Sequence, residues 1–471
     1  MKKALFWKMM ERFGVQITQF VLQLVLARLL DPDHYGTLSM MIVFVNLANV
    51  FVQNGFNTSL VQNKDVREED YSSVFWVTLM VALAVYGVIF VAAPWIGAFY
   101  AMPEITAPLR VLALMLLPGA VNSVQLAKVS REMDFKKVFT GNLAAVVVSA
   151  SAGIYAAMRG AGLWALVIQS VTNVTTACVV MGFSVRWRPR LVLDRGRIRV
   201  LFSYGWKLLV SGLLETFYQE IRSMAIGKKY DSAILGYYNR GKQFPQFITS
   251  AVSGTVQSVM LPAMSEKQDD VAQVRQMTRN AIMVSAFLMF PMMAGLAGVA
   301  TPLVSLLLTE KWLPCVPYLQ VYCFTLAFNP VHACNLQAIN AVGRSDIFLK
   351  LELIKKTIGI GALVFALVFF QSPMAVALTG AFTTITSCFI NAYPNKKLIG
   401  YSYLDQLKDM LPPFAMSLLM LLVVLAVGML QLDAWLLLCL QVIAGVVFYG
   451  LSALLLRPEP FRLLWATMRK R

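Results

Sequence analysis

Glu215, Arg222 and Arg240 are ionisable residues inside stretches otherwise apolar enough to cross a bilayer. Each has polar companions at helical spacing. On a helix, residues three, four, seven or eleven apart share a face. Ser211, Glu215, Gln219 and Arg222 therefore form one stripe, and Gln243, Ser250 and Gln257 form another, with Arg240 close by. Two earlier stretches carry the same pattern: Arg12, Gln16, Gln19 and Gln23, then Asn46, Asn49, Gln53 and Asn57. The chemistry on offer is non-covalent. Guanidinium groups give charge-assisted hydrogen bonds to anions, and amides exchange hydrogen bonds with polar ligands. A central Arg or Asp facing lipid costs roughly 2.5–3.5 kcal/mol even on the mildest insertion scale. The stripes therefore line a wet cavity or join helices by hydrogen bonds and ion pairs. Glu220 lies off the Glu215–Arg222 face and is expected to meet a neighbouring helix.

The elements that must position these residues are transmembrane helices. The chain has 471 residues, is 58% hydrophobic and only 14% charged, with mean hydropathy +0.66; a soluble chain carries about 25% charged residues. A span needs about 20 mostly apolar residues. Fourteen such stretches fit: 9–30, 37–58, 74–98, 105–127, 138–158, 161–183, 204–227, 235–262, 280–308, 316–342, 347–370, 373–394, 410–430 and 433–456. The expected fold is an all-α polytopic membrane protein of 14 transmembrane helices. Pro291 and Pro302 should bend the ninth stretch and leave an interfacial piece at its end. A β-barrel would instead show alternating segments of about ten residues.

The formal charge of +17 suggests nucleic acid, but its distribution does not. With the N-terminus inside, the basic residues gather at inward ends and loops: Lys2, Lys3 and Lys8; Lys128, Arg131, Lys136 and Lys137; six arginines from Arg186 to Arg199; Lys396, Lys397 and Lys408; and the tail from Arg457 to Arg471. This is the positive-inside bias. Both termini are expected in the cytoplasm, and the basic loops against anionic lipid headgroups. No nucleic-acid module is present. The six cysteines form no CxxC pair and read as structural thiols. There is no P-loop, dinucleotide turn, nucleophile elbow or metal-ligand cluster, and only two histidines. An enzyme is not expected. His332 reads as a hydrogen-bonded helix contact, and Asp31, Asp33 and His34 as a solvated outward turn.

The chain also repeats itself. Asp31-x4-Gly36 returns as Asp231-x4-Gly236, and Pro118, Gln125 and Asp134 return as Pro330, Gln337 and Asp346. Repeats of this kind imply an internal duplication. The expected organisation is a six-helix lobe (1–185), a basic cytoplasmic linker (186–203), a second six-helix lobe in the same sense (204–398), and two additional helices with a basic tail (399–471). A substrate site would lie between such parallel repeats, and the polar stripes fall on the first two helices of each.

Several segments resemble the polysaccharide flippases of the multidrug/oligosaccharidyl-lipid/polysaccharide exporter superfamily, of the O-antigen, colanic-acid and teichuronic-acid type. They are Leu307-Leu308-Thr309-Glu310-Lys311-Trp312-Leu313-Pro314, Pro317-Tyr318-Leu319, Pro330-Val331-His332, and Gly343-Arg344-Ser345-Asp346 followed by Leu349-Lys350-Leu351-Glu352. Leu26 to Gly36 and Leu235 to Arg240 are similar as well. The resemblance implies movement of an undecaprenyl-diphosphate-linked oligosaccharide from the cytoplasmic to the outer leaflet of the bacterial inner membrane by alternating access. Arg222, Arg240 and Arg12 would receive the diphosphate. Gln16, Gln19, Gln23, Asn46, Asn49, Gln53, Gln219 and Gln243 would meet sugar hydroxyls. Glu215 would titrate if a proton or sodium gradient drives the cycle; no cofactor is implied. Partners would be the lipid-linked oligosaccharide, membrane lipids and the polysaccharide polymerase machinery. The alternative is a cation-coupled multidrug antiporter of the same superfamily, which would favour an acidic cavity over these mixed, basic-leaning charges.

Overall fold

A computed structural model describes residues 7, 10, 14–53, 60, 65–185, 187–267 and 270–469. Within its helices the side chains of 195, 197, 200–204, 251, 253–259, 261–263 and 467–469 lie outside that description. The described chain is predominantly helical, with a non-helical segment at 187–194. In order the α-helices are α1 (Val15–Leu29), α2 (Pro32–Gln53), α3 (Glu68–Tyr100), α4 (Thr106–Ala113), α5 (Leu116–Glu132), α6 (Phe135–Met158), α7 (Leu163–Ser184), α8 (Arg195–Lys229), α9 (Ser232–Glu266), α10 (Val271–Gly298), α11 (Ala300–Leu308), α12 (Val316–Ala327), α13 (Asn329–Ala341), α14 (Ser345–Phe369), α15 (Pro373–Leu398), α16 (Tyr403–Gly428), α17 (Ala434–Leu456) and α18 (Glu459–Arg469). Each of the fourteen apolar stretches contains helix among the described residues. Among the described residues, nine spans are long and apolar enough to cross a membrane, one of them running Pro103–Glu132 through α4 and α5, and the shorter α1 is apolar too. The chain is thus a multi-pass membrane protein.

Contacts divide the chain into two compact units, residues 1–236 and 237–471. The division falls inside α9, whereas the expected repeat boundary falls at 186–203. In the first unit α6 and α7 form a close hairpin. Gly141 admits Met181, whose Cγ would lie 3.1 Å from a Cβ there, and Asn173 Nδ2 donates to Ser149 Oγ at 3.1 Å. Helix α3 is fixed at its start by Asp70, whose carboxylate accepts from the Arg67 backbone N–H at 2.8 Å. An apolar cluster of Leu60, Tyr71, Val74, Phe75, Val124 and Ala127 joins α3 to α5.

In the second unit α10 packs along α16. Helix α10 runs through Pro291, and the break comes later, at Val299. The stretch then ends in the short α11, so a separate terminal piece is present while the break is displaced from Pro291. Asp134 is the N-cap of α6, directly after the left-handed Met133 (φ 54°), and Asp346 lies in the first turn of α14, three residues after the left-handed Gly343 (φ 74°).

The terminal α18 is tied down by one arginine. Arg279 of α10 holds Asp409 of α16 with two hydrogen bonds, 2.9 and 2.8 Å, and Glu459 of α18 with two more, 2.6 and 2.7 Å. Phe461 packs against Phe287 beside them. Hydrogen bonds from Arg279 hold the Glu459 carboxyl below its ordinary range; burial opposes this, and the arginine's charge adds to it. A depressed carboxyl contributes stability that is full above its unfolded value, about 4.3, and is lost as pH falls through the folded value. Thermal melts should therefore show a gap between wild type and Arg279→Gln that is full at pH 7 and narrows below about pH 4. The gap should be modest, since the Glu459 side chain is 44% exposed and solvent screens it. A gap independent of pH would contradict this account of the anchor.

Candidate functional site

The polar stripes of the first unit lie on α1, α2 and α8. On α1, Gln19 is exposed and Gln16 and Gln23 are half-buried. Arg12 and Asn57 lie outside the described residues. On α2, Gln53 Nε2 donates to Asn49 Oδ1 at 3.1 Å. On α8, Ser211, Glu215 and Gln219 are all exposed, and Gln219 Nε2 donates to Glu215 Oε1 at 2.8 Å. Arg222, one turn further, is half-buried, with its guanidinium carbon 5.6 Å from the centre of the Tyr218 ring. The stripe is thus a polar strip on the exposed side of α8, bordered by the exposed apolar residues Val210, Leu214 and Phe217. Glu220, off that face, accepts from Asn46 Nδ2 of α2 at 2.9 Å. One residue of the α2 stripe is therefore bound to the helix packed beside it.

That bond is one end of a tight seam between α2 and the α8–α9 corner. At the other end the two repeated glycines face each other. A Cβ on Gly36 would lie 1.7 Å from the Ser232 carbonyl oxygen and 3.0 Å from the Gly236 nitrogen. A Cβ on Gly236 would lie 2.1 Å from the Pro32 carbonyl oxygen. The backbones touch here because neither residue has a side chain. Ser232 Oγ donates to Asp33 Oδ1 at the same crossing. Between the ends, Gly227 makes room for Met40, whose Cγ would lie 3.1 Å from a Cβ there. Gly36 and Asn46 are ten residues apart, so the seam runs for about 15 Å along α2. Reading Asp31, Asp33 and His34 as a solvated turn missed this: Pro32 to Gly36 is the first turn of α2, and its backbone is in van der Waals contact with α9. The signal available in the sequence was the recurrence of Asp-x4-Gly.

In the second unit Arg240 is 4% exposed. Its Nη1 donates to Gln243 Oε1, and its guanidinium carbon sits 4.9 Å from the centre of the Trp312 ring. Trp312 is fully buried, and Tyr237 meets it edge-on at 6.1 Å. The Glu-Lys-Trp segment thus supplies a cation–π wall for Arg240. Gly241 brings α9 against α12, with a Cβ position 2.8 Å from the Leu319 nitrogen. Arg240 and Arg222 therefore occupy different surroundings, the first enclosed and the second beside an open face. The Gln257 side chain lies outside the description.

A buried amide network joins three helices of this unit. Asn335 of α13 exchanges two hydrogen bonds of 2.9 Å with Gln406 of α16, and Asn395 Nδ2 of α15 donates to Asn335 Oδ1 at 2.7 Å. His332 lies one turn away, with Asn391 Nδ2 3.4 Å from its Nδ1, and so makes the helix contact expected of it. Leaving a buried polar group unpaired costs about 1–3 kcal/mol. Asn335→Ala strands groups on both Gln406 and Asn395, so it should lower the thermal stability of the purified protein by several degrees. An unchanged melting temperature would show that the network adds nothing to the packing.

Comparisons with known proteins give a family match, similar sequences and shared folds, the folds including a multidrug resistance MATE family transporter in an inward-facing conformation (TM-score 0.60, 13% identity, over 88% of this chain and 98% of that one). Residues 25–317 match the family described as polysaccharide biosynthesis protein. The lipopolysaccharide biosynthesis protein WzxC of Escherichia coli K12 is 24% identical over 416 residues, covering 86% of this chain and 82% of its own. The teichuronic acid biosynthesis protein TuaB of Bacillus subtilis 168 is 23% identical over 441 residues, covering 92% and 90%. Among solved structures, the lipid II flippase MurJ in an inward closed conformation superposes with a TM-score of 0.76 at 15% identity, over 96% of this chain and 99% of that one. The fold is shared with that protein.

Proposed function

Because the chain belongs to the polysaccharide biosynthesis protein family, we propose that it flips an undecaprenyl-diphosphate-linked oligosaccharide from the cytoplasmic to the outer leaflet of a bacterial inner membrane. The observation that carries this reading is the open polar face of α8. Glu215 and Gln219 are exposed on a helix that, in this reading, crosses the bilayer. Facing lipid, such a stripe would cost several kcal/mol; facing a water-filled cleft, it costs little. In the cleft Arg222 takes the diphosphate and the amides of α1 and α2 take sugar hydroxyls, while the polyprenyl tail stays in lipid. Arg240, enclosed by Trp312, is assigned to shaping α9 rather than to the first contact with cargo. Arg12 belongs to the same basic set by its spacing from Gln16, Gln19 and Gln23 in the sequence.

The lobes are assigned to 1–185 and 204–398, joined by the basic linker 186–203 and followed by two further helices and the tail. The two lobes and the two further helices together comprise 14 spans, with both termini cytoplasmic. The seam from Gly36 to Glu220 then closes the outer end of the pathway, and must part for cargo to leave by alternating access. A proton or sodium gradient drives the cycle through Glu215, whose carboxylate is bound by Gln219. The flipped product passes to the polysaccharide polymerase machinery.

Cysteine accessibility tests the cleft. Gln219→Cys, in a cysteine-free background that still flips, should react with a membrane-impermeant thiol reagent. Reaction only with a membrane-permeant reagent would place this face of α8 in lipid and remove the main support for the reading.

A further inference from the structure

The segment 187–194 belongs to the basic linker whose arginines are expected against lipid headgroups, and it is built as a strap. Its backbone is bound to side chains in the first turns of α3. Trp76 Nε1 donates to the Arg190 carbonyl at 2.9 Å, and Ser73 Oγ donates to the Val192 carbonyl at 3.3 Å. The Arg190 and Asp194 N–H groups donate to Ser72 Oγ and Ser73 Oγ, each at 3.1 Å. Trp187 is pinned between α3 rings, 6.3 Å from Tyr71 and 6.1 Å from Phe75. The outer side of this non-helical segment is unusual. Leu191 is 88% exposed and Leu193 46%, in a segment that also exposes Arg188, Arg190 and Asp194. Arg188 is aimed by a 2.8 Å hydrogen bond to the Gly182 carbonyl. Nearby, Lys128 pairs with Glu68 at 2.6 Å and Asp70 accepts from the Arg67 backbone N–H, while Glu69 and Asp194 remain exposed beside these arginines.

Exposed leucines interleaved with arginines suit neither water nor a bilayer core. They suit the plane between them, where apolar side chains enter the acyl boundary and arginines bind phosphate. We propose that residues 187–194 form an interfacial strap that inserts Leu191 and Leu193 below the headgroups of an anionic leaflet, with Arg188 and Arg190 on the lipid phosphates. The occupant is anionic phospholipid, selected by charge complementarity. The strap fastens α3 to the membrane surface immediately before α8, the helix that carries the open polar face. The inference rests on the membrane orientation proposed above, but not on the identity of the cargo.

Leu191→Cys, in a cysteine-free background, would carry an environment-sensitive fluorophore in vesicles of phosphatidylcholine with or without phosphatidylglycerol. With phosphatidylglycerol present, emission should shift to the blue and quenching by iodide should be lost. The added changes Arg188→Gln and Arg190→Gln should reverse both effects, whereas Arg188→Lys and Arg190→Lys should keep them. A probe open to iodide in both vesicles, or one indifferent to the glutamine changes, would overturn the strap. Flipping of lipid-linked oligosaccharide, measured on the unlabelled wild type in parallel, reports separately on the proposed function.

Discussion

Arg222→Ala lowers protein-dependent flipping of a polyprenyl-diphosphate oligosaccharide by about tenfold to a hundredfold without reducing the amount of folded protein. A hydrogen bond to a charged group contributes about 1.5–3 kcal/mol, and each 1.4 kcal/mol is about a factor of ten. The guanidinium of Arg222 is half-buried, next to the exposed Glu215–Gln219 face. Its removal leaves no cavity in a packed core, so the loss should appear in transport and not in stability. Arg222→Lys keeps the charge but not the planar fork, and should fall between. Arg222→Glu should be worse than alanine, because it sets a like charge against the diphosphate. Unchanged flipping in all three variants would remove Arg222 from the pathway.

Gly36→Val should abolish transport by a different route. Its Cβ would fall 1.7 Å from the Ser232 carbonyl oxygen, a backbone atom held in α9. No rotamer relieves that overlap, so the seam must open. Overpacking of mobile side chains already costs about 1–3 kcal/mol, and a clash with backbone costs more. The population with a closed seam should fall at least about tenfold. Paired cysteines at Asp33 and Ser232, the residues hydrogen-bonded at the crossing, should be bridged by a short bifunctional thiol reagent in the parent protein and not in Gly36→Val. Efficient bridging in both would show that the seam tolerates a side chain and is no gate.

Much of this was legible in the residues. Apolar length alone marked the helices, since a bilayer permits few other structures. Helical spacing placed Glu215, Gln219 and Arg222 on one face and Glu220 off it, and the bond from Asn46 to Glu220 has that geometry. What spacing cannot give is the identity of the neighbour on each face. Arg240 and Arg222 look alike in the sequence, yet Trp312, more than seventy residues away, encloses the first. The Gly36–Gly236 crossing was visible only as a repeated motif, because a close approach of backbones leaves no mark beyond the glycine itself. The Arg279 anchor was hidden for a related reason: its carboxylate partners, Asp409 and Glu459, are 130 and 180 residues distant. Pro291 predicted a bend that appears at Val299, since the packing of α10 along α16 continues past the proline.

The central claim is that this chain carries lipid-linked oligosaccharide across a membrane. The most direct measurement is flipping of a labelled polyprenyl-diphosphate oligosaccharide in proteoliposomes containing the purified wild-type protein. The account predicts label moving between leaflets only where the protein is present. Well-folded protein that moves no lipid-linked glycan, yet exchanges organic cations for protons or sodium, would contradict it and identify a small-molecule antiporter instead.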